Sequence, residues 1–209
     1  MRKQEKQKLI LSILEETYKG MDTALNYTTP FELLVAVILS AQCTDERVNK
    51  ITARIFPRYN SPQKMGSLTL AEMEELIRDC GLYHAKAKNL LATCQRLVEH
   101  YQGEVPETRE DLMSLPGAGR TTANVMLSVA FHQPALAVDT HVFRVSKRLG
   151  LAKGEDPLVV EKELLKIVPK EKWGEAHHWL IWHGRKLCKA RNPLCTECPL
   201  VDVCPSGRI

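Results

Sequence analysis

Residues 111–145, DLMSLPGAGRTTANVMLSVAFHQPALAVDTHVFRV, decide how the chain is read. At their centre stand Leu115, Pro116, Gly117, Ala118 and Gly119, two glycines spaced G-x-G behind a Leu-Pro pair. Leu112, Met113 and Leu115 supply apolar residues up to the turn, and Val125, Met126, Val129 and Ala130 follow at helical spacing. The pattern predicts helix, tight turn, helix, with glycine where the backbone bends or comes close to a ligand. The second helix begins with free N–H groups and the positive end of its dipole, which hold an anion without a charged side chain. Amides so placed suit a DNA phosphate, which every DNA sequence offers. A lone G-x-G fits an ordinary turn between core helices equally well. Asp139 adds to it, eighteen residues past Thr121 at the start of the next helix, DTHVFRVSKRLG. Aspartate is a good N-cap, and its carboxylate can also face a sugar if the helix starts at 119–121 and at 139 share a cleft.

Helices are predicted along the whole chain. Residues 4–18 place Leu9, Ile10, Ile13 and Leu14 on one face. Thr29-Pro30 starts a second helix, Phe31 to Ala41, apolar nearly all round and therefore central. Thr44-Asp45-Glu46 opens a third with Val48, Ile51, Ile55 and Phe56 inward. Thr69 and Glu72 form a capping box for a helix ending at Cys80-Gly81. His84 to Glu99 carries Ala85, Leu90, Leu91, Cys94, Leu97 and Val98, and further helices span 108–114, 157–168 and 171–188. No alternation of period two is sustained over a strand length, and no repeat or low-complexity segment occurs. The fold class is all-α. His177, His178, Trp179 and Trp182 cluster on the last helix without an acidic partner at suitable spacing, so they read as structural.

The 209 residues suffice for a sizeable core, and a hydrophobic content of 44% excludes a disordered chain. The longest apolar run, Leu33 to Leu39, is too short to span a bilayer, so no membrane is expected. Met1-Arg2-Lys3-Gln4 leads into an amphipathic pattern and not a signal-peptide core, making the cytoplasm, at the nucleoid, the expected location. A net charge of +4 permits nucleic-acid binding without demanding it, so binding depends on where the charges lie. Seven cysteines with no export signal point to reduced thiols or metal ligation.

Four of these, Cys188, Cys195, Cys198 and Cys204, follow C-x6-C-x2-C-x5-C within seventeen residues. Little apolar sequence there could bury a core, so something else must hold the loop. Structural zinc usually takes its thiolates from two C-x2-C knuckles. One C-x2-C with longer arms suits a cubane iron–sulfur cluster better, its irons sitting at separate corners. Lys189 and Arg191, with Arg185 and Lys186 before them, form either a solvated face or, pinned between ligands, a phosphate contact. Cys43, Cys80 and Cys94 lie on or beside helices and read as plain thiols.

LPGAGRTTANVML followed by AVDTHVFRVSKRLGL resembles the helix-hairpin-helix and catalytic-aspartate segment of the endonuclease III family of DNA glycosylases. PFELLVAVILSAQCTDERVNK, GLYHAKAKNL and the cysteine spacing are similar too, so the resemblance covers nearly the whole chain. It implies two helical lobes, residues 22–132 with the hairpin and residues 1–21 plus 133–209 with the cluster, and a cleft holding Thr121 and Asp139. It implies a [4Fe–4S] cluster on Cys188, Cys195, Cys198 and Cys204, acting first as a brace. The implied partner is double-stranded DNA with a damaged or abasic nucleotide, bound by a monomer. Gln42 would fill the gap left by a flipped nucleotide, and Leu82 would enter the base stack as an apolar wedge. The hairpin residues Leu115, Gly117, Gly119 and Arg120 would grip the strand, and Lys189 and Arg191 would contact DNA from the cluster loop.

The implied chemistry is removal of an oxidised pyrimidine, with Asp139 stabilising a sugar that becomes cationic or activating the attacking group. In family members that also cut the strand, a lysine at the start of the second hairpin helix attacks the sugar and forms an imine. Here that position is Thr121, which has no amine. Either the enzyme is naturally a glycosylase alone, with Thr121 lining the pocket, or a lysine has been replaced to stop a bifunctional parent. A third reading is a non-catalytic iron–sulfur protein that binds DNA, against which Asp139, Gln42 and Leu82 speak. Adenine-mismatch enzymes carry a further recognition domain after the cluster, and the sequence has none there.

Overall fold

The computed structural model describes residues 2–207, and every regular element among them is helical. The chain divides into two compact units, Met1–Thr23 with Pro134–Ile209, and Ala24–Gln133. No helix among the described residues is long and apolar enough to cross a membrane.

The unit Ala24–Gln133 is built around α2 (Pro30–Ser40), whose residues Phe31 to Leu39 are all buried. Thr29 caps it by accepting from the Glu32 backbone N–H, and Pro30 occupies the first turn, where its missing donor costs nothing. Burial all round follows from the sequence FELLVAVIL, in which the lone charge, Glu32, is satisfied by the Thr28 N–H and hydroxyl at 2.6 Å each. Against α2 pack α3 (Asp45–Ile55), α6 (Tyr83–Tyr101) and α8 (Arg120–Val125). The short α4 (Pro62–Gly66) and α5 (Leu70–Leu76) lie along α6. α7 (Arg109–Ser114) pairs with α8.

Three sequence expectations are corrected here. The Thr69–Glu72 capping box forms, but α5 ends at Leu76 and not at Cys80, because Ile77 to Cys80 turn away. On α6, Val98 is exposed while Lys86 and Thr93 are buried, so a face that hydropathy ranks as apolar is partly polar. The helix after the hairpin widens into a π-turn, Met126–Ala130, closed by Phe131 N–H to Met126 C=O at 3.2 Å.

The second unit packs α1 (Lys3–Tyr18), α9 (Thr140–Arg148), α10 (Pro157–Ile167) and α11 (Trp173–Lys186). Its core is formed by Ile10, Leu14, Val142, Val145, Leu164, Trp179 and Leu180. The inward face of α1 is Gln7, Ile10, Leu11, Leu14 and Tyr18; Leu9, expected inward, is exposed. A 3₁₀ turn, Lys170–Lys172, precedes α11, which therefore starts two residues later than its sequence pattern suggests. Two more 3₁₀ turns, Cys195–Glu197 and Val201–Val203, shape the cysteine loop, and Leu200 between them is completely buried. The loop thus has one apolar anchor in the core.

Candidate active site

In the hairpin, Gly117 has φ +80°, and a Cβ there would stand 3.0 Å from the Asn89 side chain. The positive φ favours glycine, and any side chain would press on Asn89. The turn closes through Ala118 N–H to Leu115 C=O at 3.1 Å, and Thr93 on α6 donates its hydroxyl to Pro116 C=O at 2.7 Å. Gly119 differs: its φ of −85° suits any residue, and no atom would lie within 4 Å of a Cβ. What glycine keeps at 119 is open space in front of the α8 N-terminus. Arg109 Nε donates to the buried Asn124 Oδ1 at 2.9 Å, clamping α7 to α8. Sequence reasoning missed that clamp, for which a polar residue inside a helical apolar stripe is the only signal. Arg120 and Thr121 are half-buried in the first turn of α8. Leu115, expected to contact DNA, is 2% exposed with its side chain in the core, which leaves its main chain for a strand.

Asp139 follows the buried run Ala135 to Val138 and is the N-cap of α9. Its Oδ1 accepts from Val142 N–H at 2.7 Å, which fixes the half-buried carboxylate at the helix start, where the dipole favours negative charge. Burial holds His177 below its ordinary pKa despite the attraction of Asp139, so its imidazole is neutral, and its Nδ1 pairs with Ala137 C=O at 2.9 Å. His178 and Asp22 are 3.1 Å apart, and burial pushes this imidazole down to about 4. His178 thus has an acidic partner, Asp22, that its spacing in the sequence does not show.

At the other end of α9, Arg144 donates to the Cys188 and Gly184 carbonyls at 3.1 Å each. Arg148 donates to Lys189 C=O at 2.7 Å and Ala190 C=O at 3.1 Å, and its Nη1 lies 3.5 Å from Cys188 Sγ. One short helix therefore carries the aspartate at its start and the anchor of the cysteine loop at its end. Cys188, Cys195, Cys198 and Cys204 line a single cavity of about 370 Å³, while among the described residues no three potential ligands close on one ion. Burial raises the Cys198 and Cys204 thiols, and the neighbouring cysteines raise them further. A single zinc ion also takes four thiolates, but one C-x2-C with longer arms around a cavity of this size suits the larger iron–sulfur core better. His183 Nε2 lies 3.7 Å from Cys198 Sγ, and its Nδ1 is 3.0 Å from the Tyr18 hydroxyl. Lys189 and Arg191 are exposed on the loop.

In the other unit, Gln42 and Leu82 are both exposed, with Leu82 at 59%, and both hold left-handed backbone, φ +54° and +60°. For a leucine that conformation costs roughly 1–2 kcal/mol, and no burial offsets it.

Two family models match the chain: HhH-GPD superfamily base excision DNA repair protein over residues 35–170, and the iron–sulfur binding domain of endonuclease III over residues 188–204. Endonuclease III of Synechocystis sp. is 48% identical over 95% of this chain and 91% of its own length. That of Haemophilus influenzae is 50% identical over 93% of this chain and 92% of its own. The chain belongs to the endonuclease III family.

Among solved structures, a trapped endonuclease III–DNA covalent intermediate, an estranged-adenine complex, matches with a TM-score of 0.96 at 48% identity, covering 99% of this chain and 98% of that one. Membership of the endonuclease III family and the fit of the four thiols to one cavity give the same cofactor, a [4Fe–4S] cluster.

Proposed function

We propose that this chain is a base-excision DNA glycosylase that hydrolyses the N-glycosidic bond of an oxidised pyrimidine in duplex DNA and stops before strand cleavage. The observation that carries this reading is a carboxylate, Asp139, fixed at a helix start in an endonuclease III chain whose position for the family's lysine is Thr121. As the bond to the base stretches, positive charge grows on the sugar, and Asp139 stabilises it. Water adds its oxygen to the anomeric carbon and gives its proton to Asp139, and the base leaves with the bonding electrons and is protonated. Thr121 has no amine and cannot form an imine, so no covalent sugar adduct stands on the path.

Recognition is assigned to main chain and loops. The open space at Gly119 admits a phosphate to the amides that begin α8, with Arg120 beside them. Gln42 and Leu82 fill the helix left by the flipped nucleotide, and their strained, exposed backbones support that role. Lys189 and Arg191 contact phosphates from the loop that the cluster and Arg148 stiffen. When bound, the cluster supplies rigidity to this loop. We assign the hairpin lobe to residues 22–132 and the cluster lobe to residues 1–21 plus 133–209, and place the protein at the nucleoid.

The test uses a duplex carrying thymine glycol or an abasic site, with borohydride present. The protein should release the oxidised base and trap no covalent adduct, and Thr121→Lys should gain both the adduct and strand cleavage. An adduct with the unaltered protein would mean that another amine attacks and that the hydrolytic scheme is wrong.

A further inference from the structure

Cys43 and Cys80 read from sequence as plain thiols, and both are free in the structure. Cys43 is half-buried directly after Gln42, and Cys80 is buried two residues before Leu82. The Cys43 side chain acts on the Cys80 thiol and raises it, so the two side chains are near neighbours. Lys86, 4% exposed on α6, points its Nζ into the same spot, donating to Leu39 C=O at 2.9 Å, Ala41 C=O at 2.6 Å and Cys80 Sγ at 3.0 Å. Cys80 Sγ in turn donates to Leu39 C=O at 3.2 Å. The two loops also touch through their backbones, since a Cβ at Gly81 would lie 3.3 Å from Gln42 C=O. Arg54 on α3 pairs with Asp79 at 2.7 Å and closes the other side. By contrast Cys94, buried on α6 against Gly66, has its thiol pushed up to about 12 by burial.

The structure assigns Cys43 and Cys80 as an oxidisable pair whose disulfide locks the loops bearing Gln42 and Leu82 and so weakens the grip on damaged DNA. The lock rests on the DNA-filling role given above to those two residues; the disulfide itself does not. Burial keeps the Cys80 thiol protonated in spite of Lys86, so the half-buried Cys43 is the sulfur that meets the oxidant. With a peroxide, the Cys43 thiolate attacks one oxygen, the O–O bond breaks, and the displaced oxygen leaves as water after taking a proton. The Cys80 sulfur then attacks the Cys43 sulfenic sulfur, forming S–S and expelling hydroxide, which takes the Cys80 proton and leaves as a second water. Two thiols lose two electrons and the peroxide gains them. Lys86 Nζ steadies the charge that develops on Cys80 during the second step.

Closing the bond brings the sulfurs to about 2 Å. With the loops already in contact at Gly81 and Gln42, that bond ties down Gln42 and Leu82, each within two positions of a bridged cysteine. The bridge therefore acts on the residues that must hold an opened duplex.

The experiment treats the reduced, cluster-loaded protein with a small molar excess of hydrogen peroxide while cluster absorbance confirms that the cluster stays intact. Peptide mapping after thiol blocking should find a Cys43–Cys80 peptide lighter by two hydrogens. Single-turnover base release from a thymine-glycol duplex should fall by roughly tenfold, recover with dithiothreitol, and be insensitive to peroxide in Cys43→Ser and in Cys80→Ser. Failure to find the linked peptide overturns the pair. A linked peptide with unchanged base release overturns the lock. Failure of the underlying glycosylase reading looks different, since the reduced protein would then release no base from any lesion. A peptide gaining one oxygen and losing two hydrogens between Cys80 and Lys86 would replace the disulfide with an N–O–S bridge, and so also overturns it.

Discussion

The carboxylate at position 139 is an N-cap and, in the proposed reaction, the group that stabilises the sugar, and the two duties can be separated. As an N-cap, Asp139 holds Val142 N–H at 2.7 Å, and asparagine caps a helix about as well. Asp139→Asn should therefore leave the melting temperature nearly unchanged while abolishing base release and sparing DNA affinity. Asp139→Ala should lose activity too, and also about 1 kcal/mol of stability. An active Asp139→Asn protein would reduce the residue to a cap. Leu82 reverses the balance, since its left-handed backbone and 59% exposure burden the fold. Leu82→Gly should be neutral to about 1 kcal/mol more stable in thermal melts, yet slower in base release because nothing enters the stack. A substantially destabilised Leu82→Gly protein would show that the side chain holds the loop and is no wedge. From sequence Asp139 was legible because its type, its spacing from the hairpin and the motif agree. Leu82 was legible through the motif alone, since hydropathy places a leucine after glycine in a core.

The hairpin shows what a motif hides at the scale of an element. Its two glycines look equivalent in LPGAGR, but Gly117 is favoured by φ and by Asn89, and Gly119 by neither. Gly117→Ala should cost about 1–2 kcal/mol in chemical denaturation. Gly119→Ala, at the α8 N-cap where glycine is favoured over alanine, should cost about 0.5–1 kcal/mol and in addition weaken binding to an abasic duplex, its methyl group standing where the proposed phosphate approaches. Unchanged affinity for the abasic duplex in Gly119→Ala would remove the argument that open space at 119 is kept for a ligand. The helix starts were legible because their caps are local: Thr29, Thr44, Thr69, Thr108, Asp139 and Asp156 all accept backbone N–H groups. The Asn124–Arg109 clamp and the buried Lys86 were not, because each depends on partners distant in sequence that only the packed unit supplies, and the π-turn was not, because its one-residue widening leaves no mark in the apolar spacing.

Across the molecule, the all-α class could be read from apolar spacing, and the cluster from four cysteines within seventeen residues. How the cluster unit holds three histidines on α11 could not, since burial is a property of the packed unit. Burial depresses His178 and His183 each to about 4 and pushes His177 below its ordinary value. An unfolded histidine titrates near 6.5, so between about pH 6.5 and 4 the unfolded chain binds more protons than the folded one. Stability from these groups is therefore complete above roughly pH 6.5 and is lost as the pH falls toward 4. The loss from His178 alone should be on the order of 2 kcal/mol across that window, allowing for its partly exposed partner Asp22. Thermal melts of the cluster-loaded protein should fall in temperature as pH drops from 7 through 5, with cluster absorbance followed in parallel to separate loss of the cluster. His178→Gln, which cannot take up the proton, should show a shallower fall. A variant whose melting temperature tracks the unaltered protein at every pH would mean that acid enters through carboxylates or thiolates and that this buried imidazole plays no part.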